Sequence, residues 1–197
     1  MPRPRHLAAL LSLALASLAA ADAATSPVLY GEWRSSRFGG GGYTLDVAIS
    51  PSRPDVWQVP CDVGGVFRSD DAGLSWRMIH GTLPPRAGNY CIRSLSPRDD
   101  NPDDMLIAAG SQWFEPEGIY RTTDGGQTWQ DVLRAPFYGN EHYRWTGRLF
   151  ARSPDSPDTV LVATQGAGVF LSSDSGASWK SLGLDGLNFT DIKFDPH

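Results

Sequence analysis

The side chains of this sequence best suited to chemistry are carboxylates set among glycines. Three aspartates, Asp71, Asp124 and Asp174, recur in the frame [ST]-x-D-x-G-x-[ST]-W, each followed by a glycine (Gly73, Gly126, Gly176) and a tryptophan (Trp76, Trp129, Trp179). In a tight turn such a carboxylate accepts hydrogen bonds from N–H groups that a strand ladder leaves unpaired. The glycine permits positive φ, and the tryptophan contributes a large apolar area to packing. The chemistry of these three is therefore structural. A fourth aspartate, Asp62, stands apart, because it precedes Gly64-Gly65, where backbone without Cβ allows close approach of a ligand. As a lone carboxylate it can serve as a general base or cap an Asx turn. Inverting hydrolysis of a glycosidic bond requires a second carboxyl about 6.5–9.5 Å away.

The elements that must position these groups follow from an internal repeat. Asp71 and Asp124 are 53 residues apart, and Asp124 and Asp174 are 50 apart. Ahead of each aspartate comes a glycine with an apolar-aromatic pair: Gly65-Val66-Phe67, Gly118-Ile119-Tyr120 and Gly168-Val169-Phe170. Further upstream lie an apolar run and an alternating run ending near Ser-Pro. Short runs bounded by Pro, Asp, Asn and Gly read as strands and turns. Each repeat therefore holds four strands, here called A to D, which is the make-up of one β-propeller blade. The expected fold is all-β, an incomplete propeller of about three and a half four-stranded blades. Their expected extents are 38–80, 88–134 and 144–183, with a fourth begun over 188–197.

In this architecture the three repeated turns join strands C and D on one rim, and loops carry function. A ligand site then falls on the other rim, at the starts of the A strands and in the B–C loops. The residues there with chemistry for sugars are Tyr43, Trp113, Phe114, Tyr143 and Trp145, whose aromatic faces can stack on pyranose rings, and His142, which can hydrogen-bond hydroxyls. Tyr90, Tyr138, Gln112, Glu115, Asn140 and Glu141 share the rim.

Arg3 and Arg5, an apolar run from Leu7 to Ala20 and the small-residue site Ala21-Asp22-Ala23 read as a secretory signal peptide over 1–23. Residues 24–197 are then an extracytoplasmic chain, secreted or periplasmic. The apolar run is short for a membrane span. A net charge of −5 with scattered Lys and Arg gives no footprint for nucleic acid. Neither the four histidines nor Cys61 and Cys91 have metal-ligand spacing, so no metal or cofactor is expected. In an oxidising compartment Cys61 and Cys91 either pair or stay as two buried thiols.

Trp33, the run Phe38-Gly-Gly-Gly-Gly-Tyr43, Ser50-Pro51 and Cys61-Asp62-Val63-Gly64-Gly65-Val66-Phe67-Arg68 together resemble the N-terminal blade of two-propeller xyloglucanases, which also carry these turns as Asp boxes. The resemblance covers about residues 30–197. It implies a secreted glycoside hydrolase acting on plant-type β-glucan, with Asp62 as the general base. It places the general acid in a second propeller, which this sequence does not contain. Cys61 stands where that family usually has Thr. A polysaccharide or oligosaccharide is the expected partner. The alternatives are a non-catalytic propeller module for glycans or proteins, with self-association through open propeller edges, and a sialidase-like protein. The arginine triad and F/Y-R-I-P element of sialidases are absent.

Overall fold

The computed structural model describes residues 35–141 and 147–195. The expected signal peptide lies outside them, as do His142, Tyr143 and Trp145. All the strands belong to the unit Ser36–His197. Three antiparallel four-stranded sheets follow one another along the chain. The first is β1 (Ala48–Ile49), β2 (Trp57–Cys61), β3 (Gly65–Ser69) and β4 (Arg77–Met78). The second is β5 (Ile92–Pro97), β6 (Met105–Ser111), β7 (Phe114–Thr122) and β8 (Gln130–Arg134). The third is β9 (Phe150–Arg152), β10 (Val160–Ala163), β12 (Val169–Ser172) and β13 (Lys180–Ser181). A two-stranded ribbon of β11 (Gln165–Ala167) and β14 (Asp185–Asn188) closes the B–C loop of the third sheet. The one helical turn among the described residues is a 3-10 turn over Ala87–Tyr90. Within each sheet neighbours in sequence pair as neighbours in space, so these are the blades of an incomplete propeller.

The core lies between blades. Residues of β6 alternate in direction: Met105, Ile107 and Ala109 join Val66, Ile79 and Leu83 of the first blade, whereas Leu106 and Ala108 join Val160, Val162 and Phe150 of the third. Because side chains of a strand point alternately to its two faces, a strand covered on both sides reads as an unbroken apolar run. Every residue of β6 is buried. The outer strands β4 and β13 are exposed throughout.

The three repeated turns form one hydrogen-bond pattern three times. Asp71 accepts the Ser75 amide at 2.8 Å and the Ser75 hydroxyl at 2.6 Å. Asp124 does the same with Thr128 at 2.8 and 2.6 Å, and Asp174 with Ser178 at 2.9 and 2.6 Å. The hydroxyl opening each turn donates to the aspartate and accepts the glycine amide, as Ser69 does at 2.7 and 2.8 Å. Gly73, Gly126 and Gly176 have φ of 85, 87 and 88°, a region costly for residues with a Cβ. Hydrogen bonds from Ser75, Thr128 and Ser178 hold the three carboxyls down at about 2.

On the same rim Arg68, 3% exposed, reaches Asp70 at 2.7 Å and Asp103 of the next blade at 2.6 Å. Arg98 likewise joins Asp158 of the third blade. Past β14 the chain forms no further strand over 189–195. There it is tied to the third blade by the Ile192 amide on Arg148 O at 3.1 Å and by Phe189 and Ile192 packing on the second interblade core.

Candidate functional site

Asp62 occupies the turn between β2 and β3, and Asp71 the turn after β3. The five residues of β3 separate them, about 16 Å at strand rise, so Asp62 lies on the rim opposite the repeated turns. Its placement follows from the glycine run upstream. Gly39-Gly40-Gly41-Gly42 lies across the β2–β3 turn, and at Gly40 and Gly42 the approach excludes a side chain. A Cβ on Gly40 would stand 2.6 Å from the Phe67 ring, one on Gly42 2.5 Å from Asp62 Oδ1, and one on Gly64 2.5 Å from Gly41 O. Gly42 also has φ of 103°. The Tyr43 amide donates to Asp62 Oδ1 at 2.6 Å, and the Asp62 amide donates to Tyr43 O at 3.1 Å. Asp62 is 4% exposed, whereas Tyr43 beside it is half exposed.

The second blade extends this rim. Its B–C hairpin is long, with β7 running nine residues, and Trp113 at the tip is 71% exposed. A buried network supports the hairpin. The Trp113 amide donates to Ser111 Oγ at 3.3 Å, and that hydroxyl donates to Glu141 Oε1 at 2.7 Å. Glu141 Oε2 accepts the Asn140 amide at 3.2 Å. Glu117 Oε2 accepts the amides of Phe137 and Tyr138 at 2.6 and 2.9 Å, across a bend where Tyr138 has φ of 52°. Phe114 opens β7 next to Trp113.

Cys91 lies between the two blades on this rim. Burial, then the charges of Glu141, Asp62 and Glu117, push its thiol up to about 11. Burial likewise raises the Cys61 thiol, partly offset by a hydrogen bond with Thr44 and reinforced by Asp62. Both are buried as thiols, Cys61 ending β2 and Cys91 preceding β5; a thiolate, the reactive form, is disfavoured at both.

Among the described residues the structure thus gathers Asp62, Tyr43 and Trp113 on one rim, together with Glu117 and Glu141. Every one of these three carboxylates accepts backbone N–H groups, so each shapes a loop as well as charging the rim. The part played by Glu117 was not legible from sequence, because the bend at Phe137-Tyr138 that it holds lies twenty residues further along the chain. Ser111 lacked any signal beyond its place at the end of an apolar run.

No protein-family model matches the chain. The sequence is 31% identical over 183 residues to a xyloglucanase of a Paenibacillus species, covering 87% of this chain and 18% of that protein. It is 26% identical over 196 residues to a probable oligoxyloglucan-reducing end-specific xyloglucanase of Neosartorya fischeri, covering 94% of this chain and 24% of that protein. Among solved structures it is similar to the GH74 xyloglucanase from Xanthomonas campestris, at a TM-score of 0.62 and 26% identity over 76% of this chain and 22% of that one. The chain spans a quarter or less of the length of these relatives, and in sequence and fold it is similar to one segment of xyloglucanases.

Proposed function

We infer that this chain is the glycan-binding part of a secreted, xyloglucanase-type propeller, with plant-type β-glucan lying along the rim that carries Asp62. The observation that carries the reading is the placement of Asp62. It is pinned under a four-glycine run, on the rim away from the repeated turns, in a chain whose relatives are xyloglucanases. Glycine backbone at Gly40 and Gly42 packs directly against the β2–β3 turn that carries the carboxylate, and Tyr43 and Trp113 present exposed aromatic faces on which sugar rings can stack. Phe114, His142, Tyr143 and Trp145 are assigned to the same surface by their position in the repeat. Asp62 is the general base in this reading.

A second reading, binding without hydrolysis by this polypeptide, is favoured by one observation. Glu117 and Glu141, the other described carboxylates of the rim, are both tied to backbone amides, and inverting cleavage needs a second carboxyl free to protonate the leaving group. Isothermal titration of the chain with xyloglucan oligosaccharides tests the first statement. Binding lost in Trp113→Ala is the expected result, and no heat with xyloglucan, mixed-linkage glucan or cellulose oligosaccharides would overturn it. Reducing-end assays on the same samples separate the two readings: release of ends that disappears in Asp62→Ala would establish hydrolysis, and its absence beside intact binding would establish the binding module.

A further inference from the structure

The loop between blades two and three, residues 135–141, is clasped to the B–C hairpin of blade two from both sides. Glu117, on the returning strand β7 of the hairpin, accepts the amides of Phe137 and Tyr138 on one oxygen, Oε2, at 2.6 and 2.9 Å. Glu141, at the end of the loop, reaches back to the hairpin. Its Oε1 accepts the Ser111 hydroxyl at 2.7 Å, and Ser111 Oγ accepts the Trp113 amide at 3.3 Å. Between these carboxylates the Gly139 amide donates to Gly110 O at 2.7 Å, and a Cβ on Gly139 would stand 2.3 Å from Cys91 O. The clasp lies on the Asp62 rim: the Gly110 amide donates to Cys91 O at 3.0 Å, as the Asp62 amide donates to Tyr43 O at 3.1 Å in blade one.

The residue held by this clasp is a strained tyrosine. Tyr138 has a φ of 52°, and a bulky side chain in the left-handed region is an outlier that persists only where its surroundings fix it. Among the described residues it is the one aromatic residue with positive φ. Ala72 and Ser175, which share that region, stand in the repeated turns, at the place where the second turn has Gly125. No such turn accounts for Tyr138. Phe137 before it is fully buried in the core between blades two and three, and Gly139 after it is buried. Of the three only the tyrosine reaches the surface, half-buried, and it belongs to none of the core clusters. Glycine or asparagine would meet the backbone demand with less strain. What the tyrosine adds is a ring on the rim.

We propose that Tyr138 is a further sugar-stacking residue of the Asp62 rim, and that Glu117 is the positioning residue that holds it there. The inference rests on the glycan reading and extends the binding surface from the Trp113 hairpin to the loop between blades two and three. A ring whose backbone is pinned before the ligand arrives loses little freedom on binding, and such preorganisation raises affinity by lowering the cost of ordering. Glu141 ties the same loop to Ser111 and so to Trp113. The two aromatic residues are therefore set by one hydrogen-bonded unit.

Isothermal titration with xyloglucan oligosaccharides, beside thermal unfolding, tests it. Tyr138→Asn keeps a residue suited to positive φ and removes the ring; the expected result is a melting temperature near the wild-type value with binding weakened several-fold. Glu117→Gln retains one carbonyl oxygen for both amides and is expected to bind as the wild type does, whereas Glu117→Ala is expected to weaken binding as far as Tyr138→Asn. In the wild-type chain, nitration of Tyr138 by tetranitromethane, read by peptide mass spectrometry, is expected to be blocked by saturating oligosaccharide. Wild-type binding that survives Tyr138→Asn, or nitration indifferent to the oligosaccharide, overturns the proposal and leaves the glycan reading standing. Binding unaffected by Glu117→Ala overturns the positioning role. A melting temperature that falls in step with binding in Tyr138→Asn marks a structural role and overturns the stacking role. A wild-type chain that gives no heat fails at the glycan reading itself, and this proposal falls with it.

Discussion

The Tyr43 amide and Asp62 Oδ1 are 2.6 Å apart, and this bond makes the glycine run and the β2–β3 turn a single unit. A carboxylate oxygen bonded to backbone is held in one orientation, and the chain that holds it is the chain a ligand would lie against. Removing the acceptor should therefore loosen the rim as well as change its charge. Asp62→Ala is expected to lower stability by about 1–3 kcal/mol, the usual cost of stranding a buried donor. Asp62→Asn, which keeps an acceptor, should lose less. Urea denaturation of the three proteins checks the order; equal midpoints would show that the bond is not what orients the run.

The glycine run permits a sharper test. Gly42→Ala places a Cβ 2.5 Å from Asp62 Oδ1 at a φ of 103°, so strain and overlap act together. Gly39→Ala places its Cβ in open space, at a φ of 71°. Gly42→Ala is expected to cost more than about 1 kcal/mol and to weaken glycan binding, with Gly39→Ala the milder of the two. Thermal unfolding and titration on both variants measure it.

Burial between blades should divide the leucines into two classes. Leu106 is fully buried between blades two and three, whereas Leu187 is 52% exposed. Leu106→Ala is expected to cost about 2–5 kcal/mol through lost transfer energy and a residual cavity, and Leu187→Ala about 0.5 kcal/mol or less. Comparable losses would mean that the blade-three edge is covered.

Acid should act through the repeated turns. The folded-state values of Asp71, Asp124 and Asp174 lie at about 2, below the ordinary 3.8. A depressed carboxyl stabilises the fold above its unfolded value, and that stabilisation is lost as pH falls through the folded value. Stability should thus decline between about pH 4 and pH 2. Asp124→Asn should flatten that decline. Urea midpoints at several pH values across this window decide it, and an unchanged slope in the variant would locate the acid sensitivity elsewhere.

The sequence by itself determined the repeat, its four strands and the turn that closes each unit. Those features depend on near neighbours: Asp71 and Ser75 are four residues apart, and the period of a strand is written in adjacent positions. It also singled out Asp62 and Tyr43, because a glycine run and a D-V-G-G segment mark close backbone approach wherever they lie. The tertiary structure alone decided what crosses between units. Trp129 meets Ile79 across 50 residues and Asp62 meets Tyr43 across 19. Whether a leucine is core or surface then depends on whether another blade sits on it. Ile79 and Leu182 make the same backbone bond in the first and third repeats; Ile79 is buried beneath the blade that follows it, whereas Leu182 is half exposed.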